Sequence, residues 1–164
     1  MIVIADTSPL NYLIRLGHSD LLREIYGRVL VPSAVLMEMK HPEAPPEVRA
    51  WACQPPAWLE EIQVQKVDAT IPAGLGIGER EAISLALEIR ADLLLIDERA
   101  GRQEAEARNI AVAGTLAVLL QADLRGYIDF PTAMKQLRVC GFRTSQSIEA
   151  SVMARYKQAK NLKP

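Results

Sequence analysis

The sequence predicts an α/β domain on a mainly parallel central sheet, and two patterns carry that expectation. Short apolar runs at residues 2–5, 28–31, 93–96 and 110–112 alternate with stretches of helical spacing, the rhythm of strand–helix–strand units. The runs are also nearly free of polar interruption, as strands covered on both faces must be.

The helices are announced by their starts. After the first run, Ser8-Pro9 reads as an N-cap and a proline at the first helical position, where its missing N–H costs nothing; a helix over 8–16 follows. Ser19-Asp20 opens a second helix over 19–26, closed by Gly27. Pro32-Ser33 starts a third, which runs to Lys40 and stops before Pro42. Residues 41–72 hold six prolines and both tryptophans; an irregular helix near 47–52 and a strand at 62–67 are expected there. A helix over 79–90 places Ala82, Ile83, Ala86 and Leu87 on one face. The 93–96 strand leads through Asp97 into another helix, which carries Arg99 and Arg102. Beyond the 110–112 strand, Gly114-Thr115 opens a helix with Leu116, Leu119 and Leu120. A basic helix over 143–163 comes last, with Ile148, Val152 and Tyr156 at helical spacing. No repeat or linker interrupts the chain, so one domain over 1–142 is expected, with 143–164 packed on it.

Composition narrows the class. With 49% hydrophobic and 24% charged residues in 164, the chain can bury a core and does not read as disordered. No apolar run reaches the roughly 18 residues of a membrane span. The N-terminus has no basic segment before its apolar one, so a signal peptide is not expected. Cys53 and Cys140 lie among apolar residues and read as reduced, packed thiols, which suits the cytoplasm. Charge is unevenly placed. Residues 1–134 carry 12 basic against 19 acidic side chains, a net −7, whereas residues 135–164 carry 7 against one, a net +6. An acidic body beside a basic segment could set carboxylates next to a phosphate-attracting rim, or the basic segment is simply a solvated helix.

Four acids stand out on this scaffold. Asp6 and Asp97 each follow an apolar strand, at the carboxyl edge where open parallel sheets bind ligands. Glu38 lies on the third helix and Glu79 begins its own. Taken singly, each has a bland reading: Asp6 as a cap of the Ser8 helix, Glu38 as solvated surface, Glu79 and Asp97 as acids at helix starts. Glu81 is a substitute candidate for Glu79. Taken together, they are the oxygen ligands that hard Mg²⁺ or Mn²⁺ prefers, and crowded carboxylates repel one another without a cation. His18 and His41 are the only histidines, too few for a zinc or Ser-His-Asp site. The glycines of AGLGIGERE (residues 73–81) follow no clear strand and lack a Lys-Ser/Thr ending, so they are no phosphate loop.

Five blocks in order resemble the PIN-domain family: IADTSPL (4–10), VPSAVLME (31–38), GIGEREAISLA (76–86), LLLIDERAGR (93–102) and GTLAVLL (114–120). They are most similar to the predicted nucleic-acid-binding branch related to VapC-type toxins, over residues 2–142 through the Gly141–Arg143 tripeptide. The resemblance implies a three-layer α/β/α fold and metal-assisted hydrolysis of single-stranded RNA. It assigns Asp6, Glu38, Glu79 and Asp97 as catalytic and metal-binding acids, and Ser8 as the hydroxyl that orients them. It further implies a homodimer and an antitoxin-like protein inhibitor. Many relatives have Asp at the position of Glu79, so metal spacing can differ here. Arg99, Arg102 and Arg143 are candidates for holding RNA phosphates, although Glu98 and Glu106 would balance the first two on a solvated face. Two other readings stand beside this one: a PIN fold kept as a non-catalytic RNA-binding or assembly protein, and a receiver-like Mg²⁺-binding regulatory module. The second lacks the paired acids and the late lysine it needs.

Overall fold

The computed structural model describes residues 1–161. Its sheet holds β1 (Val3–Ala5), β2 (Val29–Pro32), β3 (Leu59–Ile62), β4 (Leu93–Leu95) and β5 (Val112–Ala113). The order is β3-β2-β1-β4-β5, with every pairing parallel. The helices are α1 (Thr7–Arg15), α2 (Leu21–Tyr26), α3 (Ser33–Met39), α4 (Pro46–Cys53), α5 (Ile77–Glu88), α6 (Arg99–Ala107), α7 (Thr115–Leu124), α8 (Phe130–Val139) and α9 (Gln146–Asn161).

Alternation along the strands divides the core in two. Val3, Ala5 and Leu95 face a cluster shared with α1, α3, α4, α7 and α8. Ile4, Leu94 and Ile96 face the opposite one, filled by Ala82, Ile83, Leu85 and Ala86 of α5 and by Ala105 of α6. Helices therefore cover both faces, which is why every strand except β3 at the sheet edge carries apolar residues throughout. The result is the expected α/β/α layering. Among the described residues, no helix is long and apolar enough to cross a membrane.

Strand order also decides where a site forms. The chain leaves β1 toward β2 on one side and returns to β4 on the other, so the connections part above β1 and β4. That crevice, at the carboxyl ends of the strands, is the topological switch point. Asp6 follows β1 there, and Asp97 lies two residues past β4. Register holds them side by side: Ala5 pairs with Leu95, and the Asp6 N–H donates to Leu95 O at 2.9 Å.

Several expected boundaries move, each for a physical reason. Helix α1 begins at Thr7, and Asp6 rather than Ser8 takes the N-cap position. Pro9 falls at the third helical residue, which is tolerated because no first-turn N–H has an intrahelical partner. Helix α5 begins at Ile77, so Glu79 is its third residue and not its first; its carboxylate accepts the Gly76 N–H at 3.0 Å, half of a capping box. The strand expected at 62–67 is β3 at Leu59–Ile62, in register from Val29–Leu59 to Pro32–Ile62. As an edge strand it accommodates Glu60 and Glu61. Strand β5 starts at Val112 because the Ile110 N–H still bonds Ala105 O at the end of α6. Helix α8 was not anticipated, although Asp129 accepts the Thr132 N–H as its cap and Pro131 sits in its first turn. The basic helix starts at Gln146, not Arg143, and the portion expected to reach Lys163 lies partly outside the described residues. It packs through Val152, Met153 and Tyr156, with Tyr156 against Phe130 at 5.3 Å and Lys160 paired to buried Asp123.

Candidate active site

Asp6 is the centre of the acidic site. It is 2% exposed, yet its side chain makes no capping bond and Oδ1 has no hydrogen-bond partner. A cap would spend its oxygens on the N–H groups of the second and third helical residues; Asp6 makes no such bond, although the Thr7 N–H lies close to its carboxylate. Burial pushes its pKa from 3.8 up to about 7, against the pull of the Thr7 N–H, and the charges of Glu79, Glu38 and Asp97 push further. Glu38, Glu79 and Asp97 thus each lie within electrostatic reach of Asp6.

Each of the other three is held by its own donors. Glu38 Oε1 accepts the Gly78 N–H at 2.9 Å, and Oε2 accepts the Thr7 hydroxyl at 2.5 Å. Asp97 accepts the Thr115 N–H at 2.7 Å and the Thr115 hydroxyl at 2.6 Å. Its pKa is still raised, because burial outweighs those bonds and nearby Arg102. Glu79 is raised as well, by burial and then by Glu98 and Glu38, against its bond from Gly76; its Oε1 is buried without a partner. The first turns of α1, α5 and α7 supply these donors. Their positive dipole ends allow acids to crowd where sheet and helices meet.

Three glycines make the crowding sterically possible. A Cβ at Gly78 would lie 2.8 Å from both oxygens of Glu38. One at Gly101 would lie 2.6 Å from Glu79 Oε1, and one at Gly114 2.6 Å from Asp97 Oδ1. Every acid around Asp6 therefore rests against a residue with no side chain.

The donor set suits a hard divalent cation. It is all carboxylate, two buried oxygens are orphaned, and a carboxylate has about four acceptor positions, so Glu38 and Asp97 keep capacity beyond their present bonds. Among the described residues, no three or more His, Cys, Asp or Glu side chains are placed so as to hold a metal ion together, so the acids must turn from their present donors to bind one. Without a cation, acids turned toward protein donors are what mutual repulsion favours.

The remaining candidates separate cleanly. Glu81 points away from the cluster and accepts the Ala34 N–H at 3.1 Å, capping α3, whose N-cap residue Pro32 has no acceptor side chain. Glu81→Ala is therefore expected to cost about 0.5–2 kcal/mol of stability and to leave Asp6, Glu38, Glu79 and Asp97 untouched. Thermal unfolding beside an activity assay checks this, and lost activity at retained stability would return Glu81 to the site. The Ser8 hydroxyl makes no hydrogen bond among the described residues; Thr7 supplies the hydroxyl that steadies an acid. Arg102 donates to Ile96 O at 3.1 Å beside Asp97. Arg99 and Arg143 are exposed and line a groove of about 860 Å³ that starts at Asp97 and runs between α6 and α9.

Sequence reasoning missed Thr7, Thr115, Arg155 in the groove wall, and the role of the glycines. The one available signal for the last was that Gly78, Gly101 and Gly114 fall inside the same blocks as the acids. Compared with known proteins, residues 2–158 match a family model described as a PIN domain. No curated protein and no solved structure matches the chain.

Proposed function

Because the chain belongs to the PIN-domain family across residues 2–158, whose members are in general metal-dependent nucleases, we propose that it is an endoribonuclease. It uses Mg²⁺ or Mn²⁺ to hydrolyse single-stranded RNA. The observation that carries this reading is Asp6: a buried carboxylate with an orphaned oxygen, ringed by three more acids, at the switch point of the sheet.

Asp6, Glu38, Glu79 and Asp97 would hold the cation. When bound, it lowers the pKa of a water and offsets charge building on the phosphodiester. The chain's own residues do the rest. Thr7, Gly78 and Thr115 hold Glu38 and Asp97 beside Asp6 in the metal-free protein. Arg102 balances Asp97, while Arg99 and Arg143 draw the substrate backbone along the groove. The resemblance to VapC-type toxins supports the toxin of a toxin–antitoxin pair, acting as a homodimer and restrained by a protein inhibitor.

The test is cleavage of a labelled single-stranded RNA. No cutting in EDTA, and recovery on adding Mn²⁺, is the expected result. A folded protein that binds the RNA but never cuts it with either metal would leave a non-catalytic RNA-binding PIN protein instead.

A further inference from the structure

We propose that the groove between α6 and α9 is a binding site for an unpaired nucleotide, its base laid against Ile148 and Val152 above the Tyr12–Phe142 ring pair. The inference rests on the nuclease reading for its substrate. It goes further by naming the subsite and by making the strand's exposed base, beyond its phosphates, the thing recognised.

The wall is one face of α9. Ser147, Ile148, Ser151, Val152 and Arg155 line the groove and recur at the spacing of neighbours on a helix. Tyr12 and Phe142 line it too, stacked edge to face with centroids 5.0 Å apart at 81°. Ile148 is 51% exposed inside this concavity, an apolar side chain with one half still to be covered.

Charge selects the occupant. Arg99, Arg143 and Arg155 line the groove, and among the described residues none makes an ion pair or a side-chain hydrogen bond. Glu98 and Glu106 share the α6 side with Arg99, so the surplus of positive charge lies on the α9 side. Free guanidiniums beside an apolar, aromatic floor match a ligand with phosphates on one edge and a flat ring on the other. That is a nucleotide. At about 860 Å³ the groove has the volume of a small-molecule site. A base must leave its partner strand to enter it, so duplex RNA is excluded from this contact. Asp97 belongs both to the groove lining and to the acidic site, so the bound nucleotide is next to the cleaved phosphate.

The experiment measures anisotropy of a short labelled RNA in EDTA, single-stranded and annealed to its complement, with cleavage in Mn²⁺ recorded separately. Ile148→Asp adds an acid in the first turn of α9, where the helix dipole favours it, so folding is retained. It is expected to weaken single-strand binding by about tenfold or more, from the lost apolar contact with the base and the acid set in its place. Duplex binding should be weaker from the outset and fall only by the smaller electrostatic effect of the added acid, comparable to that of Arg155→Gln. Arg155→Gln should weaken both forms and flatten the salt dependence of single-strand binding by roughly 0.7 in slope. Single-strand affinity unchanged in Ile148→Asp overturns the proposal whatever Arg155→Gln does, as does duplex bound as tightly as single strand. If the parent never cleaves in Mn²⁺ while Ile148→Asp still loses single-strand binding, the nuclease reading fails and the nucleotide site stands.

Discussion

Asp6→Asn will cut no RNA, and in EDTA it will melt higher than the parent protein. The two effects have one origin. In the metal-free protein Asp6 is buried among three other acids and its pKa is pushed up to about 7 from 3.8. Keeping it ionised in the fold costs on the order of 2–4 kcal/mol at about pH 8. The raised pKa means that the folded state holds its proton more tightly than the unfolded chain does. Its stabilising contribution is therefore complete below 3.8 and is lost as pH rises through about 7. Asparagine removes the charge and brings an amide N–H₂ suited to neighbouring carboxylates.

The melting gain should be roughly 5–15 °C at high pH and should shrink as the pH is lowered toward 4. Saturating Mn²⁺ should reverse the ranking, because the parent regains its ligand and the variant does not. A structural aspartate behaves otherwise: losing a cap lowers the melting temperature by the equivalent of ~1 kcal/mol at every pH where it is ionised. If the variant melts lower in EDTA and cleaves normally, Asp6 is a cap and the nuclease reading fails at its first residue.

That result would rest on a residue whose place is legible in sequence. Asp6 and Asp97 are visible because each ends an uninterrupted apolar run, and parallel strands point their carboxyl ends the same way. The layered fold is visible for the same reason. Glu38 is less so: beside Leu36 and Met37 it reads as the polar side of a helix, and only its block identifies it. The structure shows why, since its carboxylate reaches from α3 to the backbone of α5, a segment 40 residues on. Glu79 and Glu81 illustrate the same limit. Two residues apart on one helix, they project in different directions, and which direction faces the sheet edge depends on how α5 docks. Glu79 turns toward the cluster and Glu81 toward α3. Long-range register of this kind leaves no local trace, and neither does the strand shift from 62–67 to Leu59–Ile62, which pairing with β2 decides. Helix α8 is a different case. Its signals are local and present in the sequence: the Asp129 cap, Pro131 in the first turn, and Phe130, Ala133, Met134 and Leu137 at helical spacing.

Gly101→Ala is expected to reduce cleavage by roughly 10²-fold while shifting the melting temperature by only a few degrees. The added Cβ would sit 2.6 Å from Glu79 Oε1 and 2.6 Å from Ile96 Cδ1. Both are ends of flexible side chains, so the protein yields by moving them. On stability two terms oppose each other. Overpacking costs about 1–3 kcal/mol, whereas alanine within α6 gains about 1 kcal/mol over glycine in helix propensity. The net is small. On activity nothing compensates. Glu79 is bonded to Gly76 at 3.0 Å through one oxygen, and the other oxygen, buried and unpartnered, is the one displaced. A shift near 1 Å in a ligand of this kind costs about 10²-fold in rate. Cleavage across a Mn²⁺ titration, with circular dichroism melting beside it, makes the measurement. The expected signature is a raised Mn²⁺ requirement at nearly constant stability. A variant that cleaves at the parent rate with the parent Mn²⁺ requirement would show that Glu79 is no ligand, and the site would reduce to Asp6, Glu38 and Asp97.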